Sequence, residues 1–425
     1  MSSLSFPLRS LIVVWLAFVS SLAIADYENV DIDLETGTTY NMLRFPAAGK
    51  SLFLVFPSER GIREGMIPIA LDLAFNGHDV WAADLHASYM VPRNRASIDA
   101  FKTEDSVALI KLAKEQGFEE IFIAAQGRGA QFALRTAYAW QQETGDKDFL
   151  KGLVFSLPHL LDGRPEMGEK ASYLPIARQS NLPVYMFAPE FSTKYARSRE
   201  IAEQLATGGS SVFIHSLKGV LGGFQSRPVD HLSKRDLEVK AQMADILDFA
   251  MSVMRDIDAP ALPEVVAKVS KRQSKKAFRE PKLFPFKGDK TPPRLALEVF
   301  REPFFDLAKV KDEVILVNFW ATWCGPCVEE IPSLSRLVEK LKDKPFRVIT
   351  VNIGEPEDVI ERFVKAIPLN FPILLDKNGE AVRDWNVYAY PSNFLIDKNG
   401  KIQYAYRGAL EWDSPEIVST IESLF

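Results

Sequence analysis

Trp323-Cys324-Gly325-Pro326-Cys327 holds the only two cysteines in a chain of 425 residues. A pair separated by two residues can close a disulfide within one turn. It follows the strand-like run Val314 to Phe319 and opens the helix-like run Val328 to Leu341. A C-x-x-C at a strand-to-helix junction reads as a redox dithiol. One thiol must ionise easily and be exposed, and a second must resolve the mixed disulfide. Cys324 falls at a helix N-terminus, where unpaired amide hydrogens and the macrodipole favour its thiolate. Cys327 lies one turn on, on the same face and deeper, placed to attack that mixed disulfide. Pro326 suits the first helical turn, where the missing amide hydrogen costs little.

The rest of the chain sets the context. Its length predicts two domains rather than one core. A net charge of -5 argues against nucleic acid as a partner. Arg9, the apolar run Leu11 to Ile24 and the small-x-small exit Ala23-Ile24-Ala25 read as a secretory signal peptide over residues 1–25. The apolar run is shorter than the roughly 18–20 residues that span hydrocarbon, which favours cleavage before Asp26 over an anchor. The mature chain is therefore expected in an oxidising compartment, most simply a bacterial periplasm. No cysteine is spent on a structural staple there, so the single pair is present for its chemistry.

The predicted class is α/β, in two units. Residues 26–257 alternate strand-like and helix-like segments: strands at Ser51–Phe56, His78–Asp84, Glu120–Ala125, Leu153–Leu157, Pro183–Ala188 and Ser211–Ser216, with helices that include Gly65–Asn76, Ser97–Gln116 and Ala130–Gln142. Such alternation builds a mostly parallel sheet covered on both faces. Residues 258–293 carry Pro260, Pro263, Pro281, Pro285, Pro292 and Pro293 among Lys268, Lys271, Arg272, Lys275, Lys276 and Arg279. That composition reads as an extended linker. Its basic cluster suits a solvated segment, or contact with anionic lipid or an acidic partner. Residues 294–425 form the second unit, with a turn signal at Asp397-Lys398-Asn399-Gly400.

Leu316-Val-Asn-Phe-Trp-Ala-Thr-Trp-Cys-Gly-Pro-Cys-Val-Glu-Glu-Ile-Pro332 resembles the active-site segment of the TlpA/ResA branch of thioredoxin-like proteins, secreted or membrane-anchored thiol–disulfide oxidoreductases. The likeness continues through Val351–Glu355, Phe371–Asp376 and Tyr390–Ile396 and covers the last third of the chain. It implies a thioredoxin fold with Cys324 attacking and Cys327 resolving. It also implies a cis-proline at Pro391, preceded by Tyr390, where an extended client segment pairs in a β-augmentation mode. Glu330 falls where the family carries a glutamate below the second cysteine. A partly buried carboxylate there would exchange a proton with Cys327. Asn318 replaces the buried aspartate of thioredoxin itself, Pro332 sits within the expected helix, and Trp320 and Trp323 lie where they would either shape the substrate-binding face or pack. The resemblance further implies a disulfide-containing protein client, with apocytochrome c one candidate, and a membrane electron donor of the DsbD/CcdA type. The redox-active disulfide is the only electron carrier it requires, with no other cofactor and no metal. Gly-Pro between the cysteines points to a reductase or isomerase rather than a strong oxidant.

The first unit resembles the α/β-hydrolase fold in architecture and in one degenerate motif. The G-x-S-x-G elbow of that fold exposes a serine; here the turn reads Ala125-Gln126-Gly127-Arg128-Gly129, with Gly127 at the nucleophile position. Glu190 is near the usual acid position, and the base position lacks histidine. His215 and His231 read as structural. An acyl-transfer reaction then has no driver, and the unit reads as a binding or docking module, which makes a client-capturing protein the alternative to a general reductase. An esterase is disfavoured by Gly127. A thiol peroxidase is disfavoured by the absence of a Pro-x-x-x-Thr-x-x-Cys setting.

Overall fold

The computed structural model describes residues 27–263 and 282–425. The expected signal peptide and the basic cluster of the linker lie outside the described residues. No helix among the described residues is long and apolar enough to cross a membrane.

The first unit is one eight-stranded sheet made of β1 (Glu28–Asp33), β2 (Thr39–Phe45), β3 (Ser51–Phe56), β4 (Asp79–Ala83), β5 (Glu120–Gln126), β6 (Leu150–Ser156), β7 (Val184–Phe191) and β8 (Val212–Leu221). The spatial order is β1-β2-β4-β3-β5-β6-β7-β8. β1 and β2 run antiparallel to their neighbours, and every pairing from β4 to β8 is parallel. Its helices are α1 (Ile67–Phe75), α2 (Leu85–Ser88), α3 (Thr103–Glu115), α4 (Gly129–Thr144), α5 (Ser198–Ala206), α6 (Lys234–Ala241) and α7 (Met243–Arg255). The period of two along a strand sorts the core. Leu52, Leu54 and Phe56 share a cluster with α3 and α4, whereas Phe53 and Val55 share one with α1 and α7. Both faces are covered, so the central strands are continuous apolar runs. This parallel-rich sheet is consistent with an α/β-hydrolase-like domain.

Two local expectations differ. The helix expected over 97–116 begins only at Thr103, because Ala96 N–H bonds Asn94 Oδ1 and Ser97 Oγ bonds Asn94 O, closing a separate turn. β8 runs to Leu221, beyond the expected Ser216, since β7 pairs with it across an irregularity between Pro189 and Phe191.

The second sheet contains β9 (Phe284–Pro285), β10 (Ala296–Val299), β11 (Glu302–Asp306), β12 (Val314–Trp320), β13 (Phe346–Ile353), β14 (Ile373–Asp376), β15 (Ser392–Ile396) and β16 (Ile402–Arg407), in the order β11-β10-β14-β13-β12-β15-β16-β9. Its helices are α8 (Gly325–Lys340), α9 (Glu357–Ala366), α10 (Glu380–Asp384) and α11 (Pro415–Glu422). β9 lies inside the segment read as linker. Phe284 and Pro285 pair with Ala405 and Tyr404, and Phe286 enters the core, so the second unit begins before residue 294. Two aromatic side chains that bury apolar area on this sheet outweigh the turn-forming tendency of the flanking prolines. Central β12 is parallel to β13 and antiparallel to β15. Ile315, Val317 and Phe319 face Trp385 and Phe394; Val314, Leu316 and Trp320 face α8 and α11. Asn318 shares the parity of the α8 face, and that places the site.

Candidate functional site

β12 ends at Trp320 and the chain turns through Ala321 to Cys324, whose N–H donates to Ala321 O at 3.2 Å. Cys324 is the N-cap of α8, with Cys327 and Val328 N–H both bonded to its carbonyl at 3.0 Å. The two cysteines form a disulfide with a Cα–Cα distance of 5.2 Å. Cys327 is fully buried, and Cys324 is only 7% exposed, less than an attacking thiol was expected to be. Trp323 and Tyr390 stand edge to face beside it, ring centroids 6.0 Å apart. Trp320 is a core residue tilted against Phe363, ring centroids 5.2 Å apart, and takes no part in that surface. Pro332 lies inside α8, which continues to Lys340.

Beneath Cys327, one helical turn on, lies Glu330, 2% exposed. Three donors converge on its carboxylate: Asn318 Nδ2 at 2.7 Å, Trp412 Nε1 at 3.1 Å and Leu410 N–H at 3.3 Å. Burial raises its pKa to about 8 even though all three bonds oppose the shift. Desolvation wins because none of the donors carries a full positive charge. Asn318 fits this pocket as an amide: its Nδ2 also donates to Asn393 Oδ1 at 2.6 Å, and Asn393 donates on to Gly408 O at 3.2 Å. An aspartate at 318 would bring a second carboxylate against Glu330.

Glu355, from the loop after β13, holds the other side of the cysteine turn. It accepts from Thr322 N–H at 2.8 Å, from the Thr322 hydroxyl and from Asn352 Nδ2 at 2.6 Å. It is buried, and desolvation raises its pKa. The sequence places Glu355 in the family-like segment Val351–Glu355 but assigns it no role. Only the β12–β13 register, with Trp320 opposite Asn352, brings the two loops together. Glu355→Ala leaves three donors without their acceptor and is expected to destabilise the oxidised protein by roughly 1–3 kcal/mol, to be read by urea unfolding.

Tyr390–Pro391 is a cis peptide bond. Gly408 N–H donates to Pro391 O at 2.9 Å, and Ser392 pairs with Arg407, so the end of β16 flanks the proline. The structure therefore gathers Cys324, Cys327, Trp323, Tyr390 and Pro391 at one end of the sheet, with Glu330 below. A dithiol at a helix N-terminus, a buried carboxyl beneath its inner sulfur and a cis-proline nearby suit thiol–disulfide exchange.

The elbow of the first unit has the backbone of a nucleophile turn without its chemistry. Gly127 has φ +58 between β5 and α4. Arg128 N–H, the donor that would face an oxyanion there, bonds Glu59 Oε2 at 3.1 Å. Glu190 accepts from Lys218 Nζ at 2.8 Å and Gly219 N–H at 2.7 Å. His215 bonds Tyr185 Oη at 2.8 Å within β8, and His231 sits exposed in a turn before α6.

Residues 292–405 match the model of the AhpC/TSA family. The C-terminal region is an AhpC/TSA-family thioredoxin-fold domain. Its relatives include the thiol-disulfide oxidoreductase ResA of Bacillus thuringiensis subsp. konkukian, 37% identical over 103 residues, which is 24% of this chain and 60% of that protein. ResA of Bacillus subtilis is 30% identical over 118 residues, 28% of this chain and 66% of the relative. The matched segment thus spans about 60% of the length of the first such relative. Among solved structures, StoA from Bacillus subtilis matches with 26% identity and a TM-score of 0.26, over 28% of this chain and 92% of that one. Every part of the dithiol site described above except Arg407, Gly408, Leu410 and Trp412 lies within the matched residues, and those four extend it at the C-terminal end.

Proposed function

We propose that the chain is a thiol–disulfide oxidoreductase that reduces protein disulfides outside the cytoplasm. The observation that carries this reading is the Cys324–Cys327 disulfide at the N-terminus of α8, directly above the buried Glu330. In the reduced protein the Cys324 thiolate attacks one sulfur of a client disulfide; the Cys324–client bond forms and the first client thiolate leaves. Cys327 then loses its proton, to Glu330 in those molecules whose carboxyl is ionised, and attacks Cys324 Sγ, which reforms the Cys324–Cys327 bond and expels the second client thiolate. Two electrons have passed to the client, and both client thiolates end protonated. The dithiol carries those electrons itself, so the reaction asks for no further cofactor, and Pro391 and Tyr390 offer the edge along which the client lies.

A donor must restore the dithiol in an oxidising compartment. A membrane electron carrier of the DsbD/CcdA type suits that role, and apocytochrome c is one suitable client. Location is tested by sequencing the N-terminus of the mature protein, expected at Asp26. Direction is tested by equilibrating the protein with a thiol buffer: a potential near about -270 mV supports a reductase, and one near about -120 mV overturns it.

The first unit we read as silent in hydrolysis, because the elbow lacks an oxygen and its neighbours are committed elsewhere. Gly127→Ser is expected to create no esterase activity on an activated ester. An L-residue held at φ +58 costs roughly 1–2 kcal/mol, and its Cβ would lie 3.1 Å from Glu59 Oε2. Ester hydrolysis by the wild-type chain, lost on changing Glu190, would refute the silent reading.

A further inference from the structure

Leu161 to Tyr173 leaves the first unit as a strap whose ends are pinned. Leu161 and Tyr173 form an antiparallel bridge, and Asp162 N–H donates to Ser172 O at 2.9 Å. The tip crosses to the thioredoxin domain, where three side chains grip its main chain. Arg407 Nη2 donates to Pro165 O at 3.0 Å, Asn386 Nδ2 donates to Gly168 O at 3.1 Å, and Tyr388 Oη accepts from Ala171 N–H at 2.7 Å. Gly168 is flat against Phe286: with φ +79, a Cβ there would sit 2.3 Å from ring Cζ. Behind the strap, buried Arg197 stacks on Tyr388 at 3.9 Å and donates to Val382 O at 3.4 Å.

The place of these grips is what matters. Arg407 is the β16 residue opposite Ser392, next to the cis-proline. Tyr388 is two residues before Tyr390, which stands against Trp323. The strap is therefore tied to residues that neighbour Tyr390 and Pro391 in sequence or in strand register, and Cys324 itself is 7% exposed. Its three hydrogen bonds to this domain are made by backbone atoms, Met167 packs against the same core as Phe286, and the strap contains no cysteine of its own.

We propose that the Leu161–Tyr173 strap, tied beside Pro391 by Arg407, Asn386 and Tyr388, is a steric gate that decides which disulfides reach Cys324. Disulfides of small molecules and of extended chains pass, and disulfides set in folded proteins are held off by the strap and the domain behind it. This rests on the proposed exchange at Cys324. Substrate selection is thereby assigned to the hydrolase-like unit, which needs no nucleophile for it.

The test uses the full-length protein, pre-reduced, with oxidised glutathione as the small disulfide and insulin as the folded one. The grip is removed from one side by the triple variant Arg407→Ala, Asn386→Ala, Tyr388→Phe, and from the other by Gly168→Val, which drives the strap off Phe286. Both variants should raise the insulin-to-glutathione rate ratio by roughly tenfold, the factor carried by about 1.4 kcal/mol of strap contact. An unchanged or lower ratio in the variant that retains its near-UV circular dichroism overturns the gate. If the wild-type protein fails to reduce oxidised glutathione, the exchange reading itself falls, and the gate with it.

Discussion

Cys327→Ala is expected to accumulate covalent complexes with its clients, and Cys324→Ser to form none. Both outcomes follow from the positions of the two sulfurs. Cys324 caps α8 and is the more exposed of the pair, and Cys327 is sealed beneath it. Only the outer sulfur can meet a client, and only the inner one can release it. Turnover is expected to fall in both variants by on the order of 10³-fold or more, as when a nucleophile is removed. Non-reducing gels of cells that carry each variant check this, and mass spectrometry of the trapped species names the client. Complexes formed through Cys327 in the Cys324→Ser variant would reverse the assignment.

The second large effect is expected at Glu330. Its folded pKa of about 8 lies above the ordinary 4.5, so between these values the folded protein holds a proton that the unfolded chain has lost. Stability then falls as pH rises through that window and has lost the full increment above the folded pKa. The shift corresponds to roughly 5 kcal/mol as an upper size. Desolvation raises Glu355 and Asp376 in the same direction. Glu330→Gln removes the largest of these contributions. At pH 5 the variant is expected to be less stable than wild type, because three donors then face an amide that cannot accept from them all. At pH 9 that deficit should shrink or invert, as measured by urea unfolding of the oxidised proteins. A deficit that does not vary with pH would mean that Glu330 is ionised throughout. In the reduced enzyme the same change should slow release of the mixed disulfide by roughly 10²-fold or more, the usual size of a lost proton acceptor.

How much of this was legible in the chain depends on the range of the interaction. Cys324, Cys327 and Glu330 lie on one helix, so their spacing alone predicted a shared face. Pro391 was placed through family likeness in the segment that opens β15, and the cis bond is there. The edges of both sheets were harder to see. β1 reads Glu-Asn-Val-Asp-Ile-Asp and β9 is two residues long, and neither has an apolar run to announce it. They exist because a neighbouring strand offers its edge. Glu355 and the strap were invisible for the same reason. Thr322 and Glu355 meet only through strand register, and Arg407 and Pro165 are 242 residues apart in sequence. Hydrophobic patterning says nothing of such pairs, since their bonds are made by polar groups in loops.

The first unit has a sheet consistent with an α/β-hydrolase-like domain and lacks a nucleophile at its elbow. The turn at Gly127 passes through positive φ, and the Arg128 amide that follows it bonds Glu59. The Lys218–Glu190 ion pair stands where an acid–base pair would act. What that unit retains is a rigid sheet and a strap at its edge.

The most direct test of dithiol exchange is a single-turnover titration of the reduced full-length protein with oxidised glutathione, followed by quantifying thiols on both partners. Two glutathione thiols are expected for each Cys324–Cys327 disulfide formed, with hydrogen peroxide a far slower oxidant of the same dithiol. Rapid oxidation by peroxide with no transfer to glutathione would contradict it.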